Sequence, residues 1–378
     1  MHKLRLFLVS MLLVLPLQGQ GEVYRVTFEG EGLAPIDTIS LSASSDSLYM
    51  AYTPPDTVDT VVVELSPELS ELASMRIEGL VSPCVKVYNN NVYLAGIQGE
   101  KIVIRVYSGD LEFVEDFEIA VEEPTHVYIL PYKEGILLSY VHRFLEDGLL
   151  RQDVFVKKVD FSFNEIGEAR LTGWDFWQDP CIAVYGDNII VSYANAPLYG
   201  FLDRHAVVAL LSKDLEGVGM IRYPKDAAEG RNVTQPEIAV LDDGIVLFCR
   251  VTDQSFSYSK FTWEGMVTVL PGNIRAVKLK DDLVVEKEVF ITEDFTEEYA
   301  PSAVSAFGRI YFAYCVSEKT GKSLEVFYAD TLEGLTVEPP QEWPYWVVIP
   351  VAIVLVVLAV LVKKRSKAKK EKKTQKRK

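Results

Sequence analysis

The sequence predicts an all-β protein, a six-bladed β-propeller followed by a single transmembrane helix. Three observations carry this expectation. A fourteen-residue strand–turn–strand pattern recurs six times, a second short turn recurs between the copies, and an apolar run flanked by aromatic and basic residues lies near the C-terminus.

The six copies align without gaps and begin at Ile39, Pro83, Val127, Pro180, Pro236 and Pro301. The fourth reads PCIAVYGDNIIVSY and the sixth PSAVSAFGRIYFAY, each a short apolar strand, a turn rich in Asp, Asn, Gly or Ser, and a second strand. Position fourteen is tyrosine at Tyr52, Tyr140, Tyr193 and Tyr314. Such a unit is a β-hairpin. After each hairpin comes a β-branched stretch and a second turn: SPELSEL at 66–72, SGDLEFV at 108–114, SKDLEGV at 212–218, DDLV at 281–284 and DTLEGL at 330–335. Each unit therefore holds four strands, here called A to D from the axis outward. The starts lie 44, 44, 53, 56 and 65 residues apart, a spacing that fits propeller blades. Val23–Phe28 alternates ahead of the first unit and is expected to complete the sixth blade, whose own last strand near Leu335–Val337 is short.

The termini carry different signals. Residues 1–21 read as a secretory signal peptide, with Lys3 and Arg5 ahead of the twelve-residue apolar run Leu6–Leu17, too short to span a bilayer. Residues 22–338 form the propeller ectodomain and 339–345 a linker. Residues 346–362 hold seventeen residues without a polar side chain, about 26 Å of helix, and are expected to span the membrane. Trp343, Tyr345 and Trp346 make an interfacial belt, and the basic tail 363–378 should stay in the cytoplasm with the N-terminus outside. The expected location is the cell membrane, single-pass, with the lipid bilayer as a partner of helix and tail.

Charge separates along the same boundaries. The 378-residue chain has a net charge of −16, but residues 363–378 hold eleven basic groups and one acidic. Residues 22–362 carry 25 basic and 53 acidic groups, a net of −28, which excludes nucleic acid as a partner. Four cysteines in this length give neither a disulfide framework nor a zinc pattern. Cys84 and Cys181 share one repeat position, and Cys249 and Cys315 end strand B in the adjacent blades 5 and 6; neighbouring blades diverge, so no pairing is assigned. No cofactor or metal is expected. Asn232-Val-Thr234 is a glycosylation sequon, placed on the loop leading into blade 5. Only eight Asn and nine Gln in the chain lean toward a thermophile, and with the surface topology this suggests an archaeal glycoprotein.

The Pro-apolar opening of the repeats and the Ser-x-Asp turns at 108–110 and 212–214 resemble the six-bladed sialidase-like propellers. That family's turn is a Ser-x-Asp-x-Gly-x-x-Trp box, and the Gly and Trp positions are not kept here. The resemblance implies a propeller over roughly residues 23–338. Sialidase chemistry would need three arginines gripping a carboxylate, and no position at the start of a strand A is Arg, so that activity is not expected.

In a propeller the loop into strand A and the B–C loop share one face. Loops 142–152, 195–204 and 252–272, and the leading loops 172–179 and 225–235, are long and belong to blades 3, 4 and 5. Such loops carry function on a rigid scaffold. Trp174 and Trp177 fall in one of them and Trp263 in another, and the blade strands are expected to hold no Trp. Residues flanking each repeat start should line the channel mouth: Thr38 and Ser40, Ser82 and Cys84, His126 and Tyr128, Asp179 and Cys181, Gln235 and Glu237, Ala300 and Ser302. Besides Tyr128 and the cysteines, His126, Asp179 and Glu237 are the ionisable ones. The expected function is a binding or scaffold module for a cell-surface protein or glycan, with Trp174, Trp177, Trp263, His126, Asp179 and Glu237 as ligand-binding residues. The alternative is a glycoside hydrolase-like enzyme using Asp179 and Glu237 as its carboxylate pair.

Overall fold

The structure, a computed structural model, describes residues 23–29, 36, 38–133, 135–172, 177–195, 204–224, 231–241, 244–253, 258–262, 265–269, 272–292, 297–318 and 321–337. The chain divides into two compact units, residues 1–337 and 338–378. The expected signal peptide, linker, membrane helix and basic tail lie outside the described residues. Among the described residues no helix is long and apolar enough to cross a membrane.

Six four-stranded antiparallel sheets make six blades. After strand β1 (Tyr24–Glu29), blade 1 is β2 (Ile39–Ala43), β3 (Leu48–Tyr52), β4 (Thr60–Leu65) and β5 (Glu71–Ile77). Blade 2 is β6 (Val81–Tyr88), β7 (Asn91–Gln98), β8 (Lys101–Ser108) and β9 (Phe113–Ala120). Blade 3 is β10 (Pro124–Tyr132), β11 (Gly135–Glu146), β12 (Leu149–Asp160) and β13 (Glu165–Arg170). Blade 4 is β14 (Trp177–Tyr185), β15 (Asn188–Asn195), β16 (Ala206–Leu211) and β17 (Gly217–Tyr223). Blade 5 is β18 (Arg231–Leu241), β19 (Gly244–Asp253), β22 (Gly272–Leu279) and β23 (Val285–Phe290), with the hairpin β20 (Tyr258–Thr262) and β21 (Gly265–Val269) inserted between its B and C strands. Blade 6 is β24 (Glu297–Ala306), β25 (Arg309–Glu318) and β26 (Gly321–Ala329), and its outer strand is β1, paired antiparallel from Tyr24↔Val326 to Glu29↔Gly321. The ring thus closes with one strand from the opposite end of the unit, which covers the open edge of β26.

The core lies between blades. Strands A and B are buried on both faces, as in Leu48–Tyr52, while outer strands alternate, as in Tyr24–Glu29. That is why inner strands read as apolar runs and outer ones as period two.

The second recurrent turn is a C–D turn of one geometry in blades 1 to 5. In SPELS the Leu69 N–H donates to Ser66 O and the Ser66 N–H to Ser70 O; the same two bonds recur at Ser108–Glu112, Asp160–Asn164, Ser212–Glu216 and Lys280–Val284. The Asp160 copy, DFSFN, has no counterpart among the sequence-derived turns. In each copy the fourth residue is left-handed: Leu69, Leu111, Phe163, Leu215 and Leu283 have φ between 60° and 65°. An L-residue there loses roughly 1–2 kcal/mol, but burying a leucine returns about 1.5–3 kcal/mol, and Leu283 is only 2% exposed. Burial outweighs strain, so an apolar residue stands where turn chemistry alone would select glycine.

Several expectations are corrected. The segment 330–335 is not a C–D turn and no strand follows at Leu335–Val337; a 3-10 turn, Glu333–Leu335, buries Leu332 and Leu335 against blades 5 and 6. Residues 142–152 are not a loop. Strands β11 and β12 extend for twelve residues each to the two-residue turn Asp147-Gly148, both left-handed. The extension is held by Arg170, which bonds the buried Asp153 at 2.5 and 2.6 Å and Glu146 at 2.9 and 3.1 Å, while its guanidinium lies over Phe144. Within 252–272 the chain forms the β20–β21 hairpin.

Candidate functional site at the channel mouth

The start of each strand A places side chains around the axis on the face shared by the B–C connections. In blades 2, 4, 5 and 6 the repeat opens X-Pro, and X is left-handed: Ser82, Asp179, Gln235 and Ala300 have φ of 49–53°. Strand pairing skips there, between Val81 and Cys84, Gln178 and Cys181, Thr234 and Glu237, and Tyr299 and Ser302. Proline has no N–H to give to the ladder, so the pair forms a bulge that re-aims side chain X toward the mouth. Blades 1 and 3 open Thr38-Ile39 and His126-Val127, and neither Thr38 nor His126 is left-handed, though blade 3 also skips a pairing, between Pro124 and Val127.

These outer-ring side chains hold one another. The His126 Nε2 lies 3.1 Å from Asp179 Oδ1. The Gln235 N–H donates to Asp179 Oδ2 at 3.2 Å, and the Ala300 N–H donates to Gln235 Oε1 at 2.9 Å. In blades 5 and 6 the bulge thus has its backbone donor satisfied by the preceding blade. His126 and Asp179 remain 29% and 18% exposed.

One layer deeper, small side chains tie blades 1, 2, 4 and 6 each to the next. Ser40 Oγ accepts the Val85 N–H at 3.0 Å and donates to Val85 O at 3.3 Å. Cys84 Sγ accepts the Ile129 N–H at 3.4 Å, Cys181 Sγ the Ile238 N–H at 3.3 Å, and Ser302 Oγ the Leu41 N–H at 3.0 Å. All four cysteines are buried free thiols. At the two remaining equivalent positions stand Tyr128 and Glu237, which face each other: the Tyr128 hydroxyl donates to Glu237 Oε1 at 3.0 Å, and Ser302 Oγ donates to the same oxygen at 3.3 Å. Burial pushes the Glu237 carboxyl above the usual carboxylate range, outweighing the nearby Lys86 charge and its hydrogen bonds. Burial also raises Tyr128 well above its ordinary value.

The resulting mouth cavity measures about 60 Å³ and is lined by ten of the twelve residues expected there, all but Cys84 and Ser302. His126, Asp179 and Glu237 do come together. Trp174 and Trp263 lie outside the described residues. Trp177 opens β14, opposite Asn195, so a blade strand does contain a tryptophan, contrary to expectation. Asn232 is not on a loop: it pairs with Thr252 within β18, is 6% exposed, and its Oδ1 accepts the Arg204 N–H. That burial argues against glycosylation of the folded chain. No group of three or more metal-ligating side chains occurs among the described residues. The sequence reading missed Lys86, three positions into the second repeat. Its signal was visible: alternation puts that position on the channel side, and the equivalents are Ser42, Leu130, Ala183, Ala239 and Val304.

No protein-family model matches the chain, and none of the curated proteins does. Solved structures with similar folds include a neuraminidase-like protein of A/little yellow-shouldered bat/Guatemala, at 10% identity and TM-score 0.46, covering 82% of this chain and 98% of that one. An endo-arabinase from Bacteroides thetaiotaomicron matches at 14% identity and TM-score 0.45, covering 69% and 95%. The protein YjhT matches at 9% identity and TM-score 0.48, covering 78% and 98%.

Proposed function

We propose that the protein is a membrane-anchored extracellular propeller that binds a cell-surface protein or glycan on its mouth face. The observation behind this reading is that both mouth carboxylates are committed within the protein. Asp179 is bonded by His126 and the Gln235 N–H, and Glu237 by Tyr128 and Ser302. An acid–base pair for glycoside hydrolysis must flank a bound sugar, whereas ligand pockets usually run to roughly 300–1,000 Å³ and this cavity is about 60 Å³. The blade 3 hairpin on the same face ends in Leu145, Leu149 and Leu150, all exposed; apolar side chains gathered at a tip suit a protein partner. In this reading Trp174, Trp177 and Trp263 supply the aromatic anchors. The signal peptide, single span and basic tail hold the propeller outside the cell. Protease added to intact cells should remove the propeller and leave the span with its tail; a protected propeller reverses the topology.

The second reading, hydrolysis, rests on Glu237, a carboxyl biased toward its protonated form beside a second carboxylate in one mouth. Turnover of chromogenic glycosides by the full-length protein, lost in Glu237→Gln and Asp179→Asn, would establish it. No turnover is expected.

A further inference from the structure

The opposite end of the channel holds a larger space. Beyond Tyr128, which lines both cavities, the channel opens into a funnel of about 840 Å³ toward the A–B turns. Its wall mixes small and apolar side chains, such as Leu130, Ala183, Ala239, Val304 and Phe307, with polar ones, Ser42, Ser44, Ser45, Ser305 and Tyr132. Lys86 is the one charged side chain among its described lining residues. The ammonium donates to Leu41 O at 3.2 Å and sits 4.5 Å from the centre of the Tyr128 ring. It forms no ion pair among the described residues. An ammonium has three donors, and one is used.

We infer that this funnel is a second binding site, for an organic anion with an apolar body, such as an aromatic or alkyl carboxylate. The volume falls in the range of small-molecule pockets, and a few placed polar groups among apolar side chains are how such pockets fix orientation. A carboxylate meeting Lys86 forms a charge-assisted hydrogen bond. The surrounding propeller is strongly acidic, so a small hydrated anion gains nothing by approaching; the apolar body supplies the attraction and Lys86 the selection. The funnel and the mouth are separate spaces with Tyr128 between them, although the Lys86 charge reaches Glu237.

Titration calorimetry of the full chain in nanodiscs with 2-naphthoate tests this. One saturable site is expected. The uncharged 2-naphthamide should bind at least tenfold more weakly, as should 2-naphthoate to Lys86→Met, with Lys86→Arg retaining affinity. Ala239→Trp, which fills the wall, should abolish binding, and His126→Ala at the mouth should leave it unchanged. Equal affinity for naphthoate and naphthamide would overturn the inference on the unmodified protein. Unchanged naphthoate affinity in a folded Lys86→Met variant would also overturn it.

Discussion

If small side chains staple neighbouring blades, Ser302→Ala should open the junction at which the ring closes. The Leu41 N–H, itself buried, would lose its acceptor at 3.0 Å, and Glu237 would lose a donor at 3.3 Å. Leaving a buried donor unsatisfied costs about 1–3 kcal/mol. At roughly 2 °C per kcal/mol for a domain of this size, the melting temperature should fall by about 2–6 °C. Ser302→Cys should recover much of the loss, because Cys84 and Cys181 already accept the equivalent N–H groups at 3.4 and 3.3 Å. Ser45→Ala, which removes only a surface bond to Asp46, is the control and should shift stability by less than about 0.5 kcal/mol. Thermal unfolding followed by near-ultraviolet circular dichroism reads all three. A Ser302→Ala variant that melts with the control would refute the stapling account.

Other outcomes follow from the same structure. Glu237 binds its proton more tightly folded than unfolded, so it contributes instability that grows as pH rises from the ordinary carboxyl value through its raised folded value; the melting advantage of Glu237→Gln over the parent should therefore increase with pH, and a flat difference would contradict it. Leu283→Gly relieves left-handed strain but empties a buried position, and denaturant titration should show a net loss of about 1 kcal/mol. Removing the residues through Glu29 deletes the outer strand of blade 6 and should lower the melting temperature and promote self-association through the bared edge of β26, read by light scattering. Binding of a peptide of residues 363–378 to anionic vesicles should weaken with salt, since each basic residue contributes about 1 kcal/mol near the surface.

The blade count and the strand that closes the ring were legible because each rests on side-chain periodicity, and burial of inner strands makes that signal strong. The ring of mouth residues was legible for the same reason: the phase of strand A survives the bulge. What sequence left hidden depends on partners far apart in the chain. Tyr128 and Glu237 meet across 109 positions. The extended hairpin of blade 3 read as a loop because Arg143, Glu146 and Asp147 look like solvent-exposed loop chemistry, yet Arg170 and Asp153 give that charge a partner. Asn232 looked like a loop residue because its neighbours Arg231 and Thr234 are polar, but pairing with β19 buries it. The fourth residue of the C–D turn defied turn chemistry because burial of Leu69, Leu215 and Leu283 exceeds the strain.

In the proposed function the mouth face binds a partner and does not turn one over. The most direct measurement is capture of glycans and cell-surface proteins by the full-length protein in nanodiscs, compared with a Trp174→Ala, Trp177→Ala, Trp263→Ala variant of unchanged melting temperature. Loss of buried aromatic anchors typically removes about 2 kcal/mol or more of binding, so the variant should lose capture of a ligand that the parent holds intact. Undiminished capture by the folded variant would contradict the claim, as would release of cleaved glycan by the parent.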